Sequence, residues 1–198
     1  MPIVALLRHG VTEWNEAGRI QGRTDTRLSA TGREALARLS LPPAIANFEP
    51  WSSPLTRCLE TAALLGVTAP RIDARLAEMG WGSYEGATLE EMRARDGAAF
   101  AANEARGLDF QPPGGESPRM VQARVGAFLA ERASAGRPAL VFTHRGVIRA
   151  VLALATGWPM IGKPPWKLAW TAAQLVRLDA AGRPRLETLN LPLGEAAP

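Results

Sequence analysis

Two stretches decide the fold: Ile3-Val4-Ala5-Leu6-Leu7-Arg8-His9-Gly10 and Ala139-Leu140-Val141-Phe142-Thr143-His144-Arg145-Gly146. Each is a short apolar run that breaks into histidine and glycine, the pattern of a strand buried on both faces of a sheet. These are the only two histidines among 198 residues. In open α/β sheets ligands bind beyond the carboxyl ends of the strands, so both imidazoles are expected in one crevice. Arginine stands beside each ring, as Arg8 and Arg145, which suits the crevice to phosphate. Singly, a histidine after a strand is more often a structural loop residue, and it is the pairing that points to chemistry. With an ordinary pKa near ~6.5, imidazole offers an unprotonated nitrogen as a nucleophile at neutral pH.

Outward from these strands, Thr31 with Glu34 forms a capping-box pattern for a helix over roughly 32–40. Phe48 to Ser52 reads as a strand, after which Ser53 as N-cap and Pro54 at the first helical position predict a helix to Leu65 carrying Arg57 on its first turn. An extended segment near 71–75 leads into the glycine-rich loop Glu78 to Gly86. Thr88 with Glu91 predicts a helix to about 103, and Ser117-Pro118 one to about 134, with a Pro/Gly-rich loop from Gly107 to Glu116 between them. A helix over 147–156 follows His144, and 175–178 and 185–189 alternate like a hairpin around Asp179-Ala180-Ala181-Gly182. This βαβ rhythm predicts a three-layer α/β/α sandwich with a mostly parallel sheet: one domain over 1–192 and a disordered tail at 193–198.

Composition agrees, with 46% hydrophobic and 21% charged residues. The run Ile3 to Leu7 is too short for a signal-peptide core, and the 146–158 stretch contains Arg149 and falls short of a membrane span, so a soluble, cytoplasmic protein with no membrane partner is expected. Cys58 is the only cysteine, which excludes an intrachain disulfide and a thiolate metal cluster. The net charge of +4 is dispersed along the chain, which favours small anions over a specific nucleic-acid partner.

Arg8-His9-Gly10 with Thr12-Glu13-Trp14-Asn15, Gln21-Gly22 and Asp25 resembles the opening of the histidine phosphatase superfamily, the phosphoglycerate mutase-like fold. Ser52-Ser53-Pro54-Leu55 with Arg57, Leu76-Ala77-Glu78-Met79 with Glu85-Gly86, Gly114-Gly115-Glu116-Ser117, and His144 with Gly146-Val147-Ile148-Arg149 continue the likeness in order. The resemblance implies that His9 becomes a phosphohistidine, with Arg8, Arg57 and His144 around the transferred phosphoryl group. It also implies that Glu78 passes a proton to the leaving alkoxide and takes one from water, Glu85 being the competing carboxylate. Asn15, Gln21 and Gly22 fall at family positions lining the phosphate pocket or substrate mouth.

No metal or other cofactor is expected, because histidine attack replaces a metal-bound water and the arginines supply positive charge. Relatives commonly carry glycine where this chain has Arg145, which either contacts a substrate anion or projects to solvent. The tryptophans are expected to pack structurally, with Trp14 and Trp81 the two placed in site-forming loops. The resemblance allows phosphomonoester hydrolysis or mutase-type phosphoryl transfer. The short insert between Glu78 and His144 implies a thin lid and favours the phosphatase. That enzyme would act on a small phosphorylated metabolite and release inorganic phosphate. The 76–86 and 143–149 segments are most similar to the α-ribazole phosphatase-like branch. A non-catalytic phospho-ligand binder of the same fold is the contrasting reading, disfavoured by the presence of both His9 and Glu78.

Overall fold

In the computed structural model, which describes residues 1–196, a six-stranded sheet runs through the molecule with helices on both faces. In chain order the strands and helices are β1 (Ile3–Arg8), α1 (Glu13–Glu16), α2 (Ala30–Ala37), β2 (Leu39–Ser40), α3 (Pro43–Ala46), β3 (Glu49–Ser52), α4 (Thr56–Leu64), β4 (Arg71–Ile72), α5 (Leu89–Glu104), α6 (Pro118–Ala135), β5 (Ala139–Thr143), α7 (Arg145–Thr156), β6 (Ala172–Leu178), β7 (Pro184–Pro192) and β8 (Gly194–Glu195). The main sheet is ordered β4-β3-β5-β1-β6-β7. Its β4, β3, β5 and β1 run parallel to one another, while β6 pairs antiparallel with both β1 and β7, giving the expected mostly parallel α/β architecture.

The period-two geometry of β1 divides the core. Val4 and Leu6 face one layer with Val141 and Val176, packed against Met92 of α5, Phe128 and Leu129 of α6 and Ile148 of α7. Ala5 and Leu7 face the other with Leu140 and Phe142, covered by Leu36 of α2, Ile45 of α3 and Ala62 of α4. Both faces are dry, which is why the strands read as unbroken apolar runs.

Parallel pairing of β3, β5 and β1 sets their carboxyl ends side by side, with Arg8 opposite Thr143 and Ser52 opposite Phe142. The pairing continues one step beyond the strands, through His9 N to Thr143 O at 3.0 Å and Ser53 N to Phe142 O at 2.9 Å. His9, His144 and Ser53 therefore leave the sheet together at one edge.

Local reading fails at three ends. α2 starts at Ala30 with Ser29 as its cap, the Ser29 hydroxyl accepting from Gly32 N at 3.1 Å, while the Thr31 hydroxyl is drawn away to Glu16. Ser53 does not cap α4. The first turn is capped from a distance by Asp25, which accepts from Thr56 N at 2.8 Å and from the Thr56 hydroxyl at 2.7 Å, while the Ser53 hydroxyl accepts from Leu55 N at 3.3 Å and bonds His144. The tail expected to be disordered from 193 instead forms β8, antiparallel to β2, and Ala196 N donates to Arg38 O at 2.8 Å. Residues 197 and 198 of that expected tail lie outside the described residues. Among the described residues, no helix is long and apolar enough to cross a membrane.

Candidate active site

A cavity of about 890 Å³ opens at the carboxyl edge of the sheet. Of the residues picked out from sequence, Arg8, His9, Asn15, Gln21, Gly22, Arg57, Glu78 and Arg145 line it. His144 is brought to the same place but not to the wall: it is fully buried, its ring centroid 5.2 Å from that of His9 and tilted by 58°.

His9 is held for chemistry by its own backbone. Its Nδ1 lies 2.7 Å from Gly10 O, an acceptor that can bond only to a ring nitrogen carrying hydrogen, so the neutral tautomer keeps its lone pair on Nε2. Burial, reinforced by the charges of Arg8 and Arg57, lowers the His9 pKa well below 6.5 despite the Gly10 carbonyl. The ring is thus unprotonated at neutral pH. Gly10 is anchored in turn by its amide, which donates to the Thr61 hydroxyl of α4 at 2.9 Å.

Two arginines flank the ring. Arg57 is fully buried, its Nη1 donating to Thr24 O at 2.8 Å and its Nη2 to Gly22 O at 2.7 Å, so loop carbonyls fix the plane of the guanidinium. Gly22 presents its carbonyl from a left-handed backbone (φ +55°), and a Cβ there would run into the Glu85 carboxylate. The guanidinium of Arg8 rests 5.2 Å from the centroid of the Trp170 ring. Burial pulls both arginines below their usual pKa, yet a guanidinium remains charged at any working pH. Each keeps a buried Nε–H without a partner among the described residues.

The two candidate carboxylates have separate places. Glu85 is absent from the cavity wall. It accepts from Arg23 N at 2.9 Å, Trp81 N at 3.0 Å, and Thr24 through both its amide at 2.9 Å and its hydroxyl at 2.6 Å. Burial pushes its pKa up, but these donors outweigh it and hold the group below the ordinary carboxylate value. Glu78 lines the cavity, its Oε1 accepting from Met79 N at 2.8 Å and from Gly146 N at 3.1 Å. Its carbonyl is clamped by Arg124 Nη2 at 3.1 Å, and Arg124 also pairs with Glu116 at 3.0 Å. Glu116 in turn accepts from Gly80 N at 3.0 Å and bridges to Arg23 at 2.9 Å, which explains why the 114–117 motif accompanies the Glu78 loop.

The amides at the mouth are oriented by spent acceptors. Asn15 Oδ1 takes the Thr12 amide at 3.2 Å in a capping box on α1, and Gln21 Oε1 takes the Thr12 hydroxyl at 3.0 Å and the Thr26 hydroxyl. Both keep their NH₂ groups as donors for the cavity they line.

Beneath the floor, His144 Nε2 and Ser53 Oγ are hydrogen-bonded at 2.7 Å, with Cys58 Sγ 3.4 Å from the same nitrogen. Burial, then the charge of Arg57, lowers His144 well below 6.5, and burial pushes the Cys58 thiol up, so neither is charged at neutral pH. Sequence reading missed Ser53 as a partner of His144. It also assigned Trp170 to packing, although that ring lines the cavity between Arg8 at 5.2 Å and Arg145 at 5.5 Å. Arg145 thus faces the cavity wall. Phe100 and Glu104 of α5, with Ala105, Gly107 and Phe110 after it, add a further wall and make more of a lid than the short insert implied.

Comparison with known proteins agrees with this arrangement. The chain is 35% identical over 181 residues to the glucosyl-3-phosphoglycerate phosphatase of Mycolicibacterium vanbaalenii, covering 80% of this chain and 78% of the relative. It is 31% identical over 163 residues to a 2,3-bisphosphoglycerate-dependent phosphoglycerate mutase of Gloeobacter violaceus, covering 77% and 74%. A solved mycobacterial glucosyl-3-phosphoglycerate phosphatase in complex with VO3 superposes with a TM-score of 0.78 at 29% identity, covering 96% of this chain and all of the other. A profile of the histidine phosphatase superfamily (branch 1) matches residues 4–192, and the chain belongs to that family.

Proposed function

We propose that the protein is a metal-independent phosphomonoesterase working through a phosphohistidine on His9. The observation that carries this reading is the bond from His9 Nδ1 to Gly10 O, which leaves a neutral Nε2 on the ring of a residue that lines the same cavity as Arg8 and Arg57. In the first step Nε2 attacks phosphorus and the ester P–O bond breaks. The departing oxygen takes the proton of the Glu78 carboxyl. Arg8 and Arg57 donate to the phosphoryl oxygens, over which charge is spread in the transition state. In the second step water attacks the phosphohistidine, Glu78 takes back a proton, the P–N bond breaks, and neutral His9 and inorganic phosphate are regenerated.

His144 supports this centre from behind by holding a neutral ring against His9. The cavity, at about 890 Å³, has room for a leaving group the size of a phosphorylated sugar or nucleoside. The names of the relatives make glucosyl-3-phosphoglycerate one candidate substrate, and the resemblance of the 76–86 and 143–149 segments makes α-ribazole 5′-phosphate another.

The test is release of inorganic phosphate, with a chelator present, from those two esters, 3-phosphoglycerate and an aryl phosphate, using wild type and His9→Ala. Chelator-resistant release that the substitution abolishes, with unchanged circular dichroism, is expected. Near-normal turnover by His9→Ala would end the phosphohistidine assignment. Isomerisation of 3-phosphoglycerate without net hydrolysis would transfer the same chemistry to a mutase.

A further inference from the structure

A second recess of about 350 Å³ lies beside the catalytic cavity and shares a wall with it, formed by Arg145, Arg149, Gly162 and Trp170. Its other charged residues are Lys163 and Lys167, and no carboxylate lines it. None of these four cations forms an ion pair among the described residues. Arg145 and Arg149 are one helical turn apart on α7, where like charges repel. Arg149 also keeps a buried Nε–H without a partner among the described residues. The carboxylate acting on both Arg8 and Arg149 is Glu78, whose oxygens are already engaged by the amides of Met79 and Gly146.

Like charge gathered without an ion-pair partner is unfavourable, most of all at half-buried Arg149, because Arg145, Lys163 and Lys167 are exposed and screened by solvent, and an anion in the recess would relieve it. Aromatic rings hold the guanidiniums in place: Arg145 lies 5.5 Å from the Trp170 centroid and Arg149 lies 5.1 Å from that of Trp158. Arg8 contacts the same Trp170 at 5.2 Å, so one ring joins the reacting phosphoryl site to this cluster.

We infer that the substrate carries a second anionic group, a carboxylate or another phosphate, which this recess receives while the scissile phosphoryl group sits between Arg8 and Arg57. The inference rests on the phosphomonoesterase reading and narrows its substrate class from phosphate esters in general to doubly anionic ones. Arg145 and Arg149 supply forked donors that match either group, and the exposed Lys163 and Lys167 add a salt-sensitive attraction at the rim.

Two matched pairs test it, each differing by one anionic group: 3-phosphoglycerate against glycerol 3-phosphate, and fructose 1,6-bisphosphate against fructose 6-phosphate. The pair that responds distinguishes carboxylate from phosphate. Wild type is expected to prefer the doubly anionic member of one pair by about tenfold or more in kcat/KM, mainly through KM, and less so at high salt. The double variant Lys163→Gln/Lys167→Gln should narrow that preference severalfold while aryl phosphate hydrolysis continues. Equal preference ratios in wild type and variant, or no preference in either pair, would overturn the inference and leave the phosphatase reading standing. No turnover of any ester, the aryl phosphate included, would overturn both.

Discussion

The Gly146 amide donates to both oxygens of the Glu78 carboxylate, at 3.1 and 3.2 Å, which ties the first turn of α7 to the loop that follows β4. A Cβ at 146 would collide with Oε1 of that carboxylate. Gly146→Ala should therefore displace Glu78 without unfolding the domain. A fall in kcat/KM of about 10²-fold is expected, since misplacing a reacting group by ~1 Å can cost that much. Alkyl phosphate kinetics alongside circular dichroism would show it, and undiminished alkyl phosphate turnover would mean that Glu78 does not act from its observed position.

Glu78→Gln removes the proton donor but keeps its shape. Alkyl phosphates, whose leaving oxygen is strongly basic, should lose about 10²–10⁴-fold in kcat, and aryl phosphates much less. A plot of rate against leaving-group pKa should steepen in the variant. An unchanged slope would remove Glu78 from the proton transfer.

Glu85 predicts the opposite pattern. Its carboxylate gathers the amides of Arg23, Thr24 and Trp81, so Glu85→Ala should strand those donors and cost about 2–4 kcal/mol of stability. Urea denaturation would measure that loss. Whatever activity survives should keep the wild-type leaving-group slope, and a steepened slope would return Glu85 to candidacy as the acid.

Acid should weaken the protein through its two histidines. Both have folded-state pKa values pushed well below 6.5, first by burial and then by neighbouring arginines. Between those values and 6.5 the unfolded chain binds protons that the folded one does not, so stability is full above that window and declines as pH falls through it. The slope is about 1.4 kcal/mol per pH unit for each histidine. His144→Asn should flatten the dependence of unfolding free energy on pH below 6.5. Because His9 stays neutral through the same window, its protonation should not limit kcat/KM until pH is well below 6.5.

What could be read in the sequence followed from contacts local to it. The strands ending at Arg8 and Thr143 were legible because a strand buried on both faces must be apolar at every position, and their pairing sets His9 and His144 side by side, although His9 alone of the two reaches the cavity wall. The caps of α5 and α6 were legible because Thr88 and Ser117 bond within their own first turns. Ser53 misled for the converse reason: its hydroxyl is taken by His144, 91 residues away, and the α4 cap comes from Asp25. β8 depends on a partner, β2, at the other end of the chain, and a two-residue strand carries no period of its own. Trp170 sits in an aperiodic connection whose position is set by the pairing of β6 with β1, so nothing near it in sequence announced a place between two arginines.

That placement gives the molecule an optical property. An indole whose neighbours are two guanidiniums emits in a strong local field, and an anion arriving at Arg8 or Arg145 changes that field directly. Trp170 emission is thus a built-in signal of occupancy, readable without label or turnover. Phosphate or vanadate titrated into the protein should shift it, and Trp170→Phe should silence the response while the other five tryptophans continue to emit.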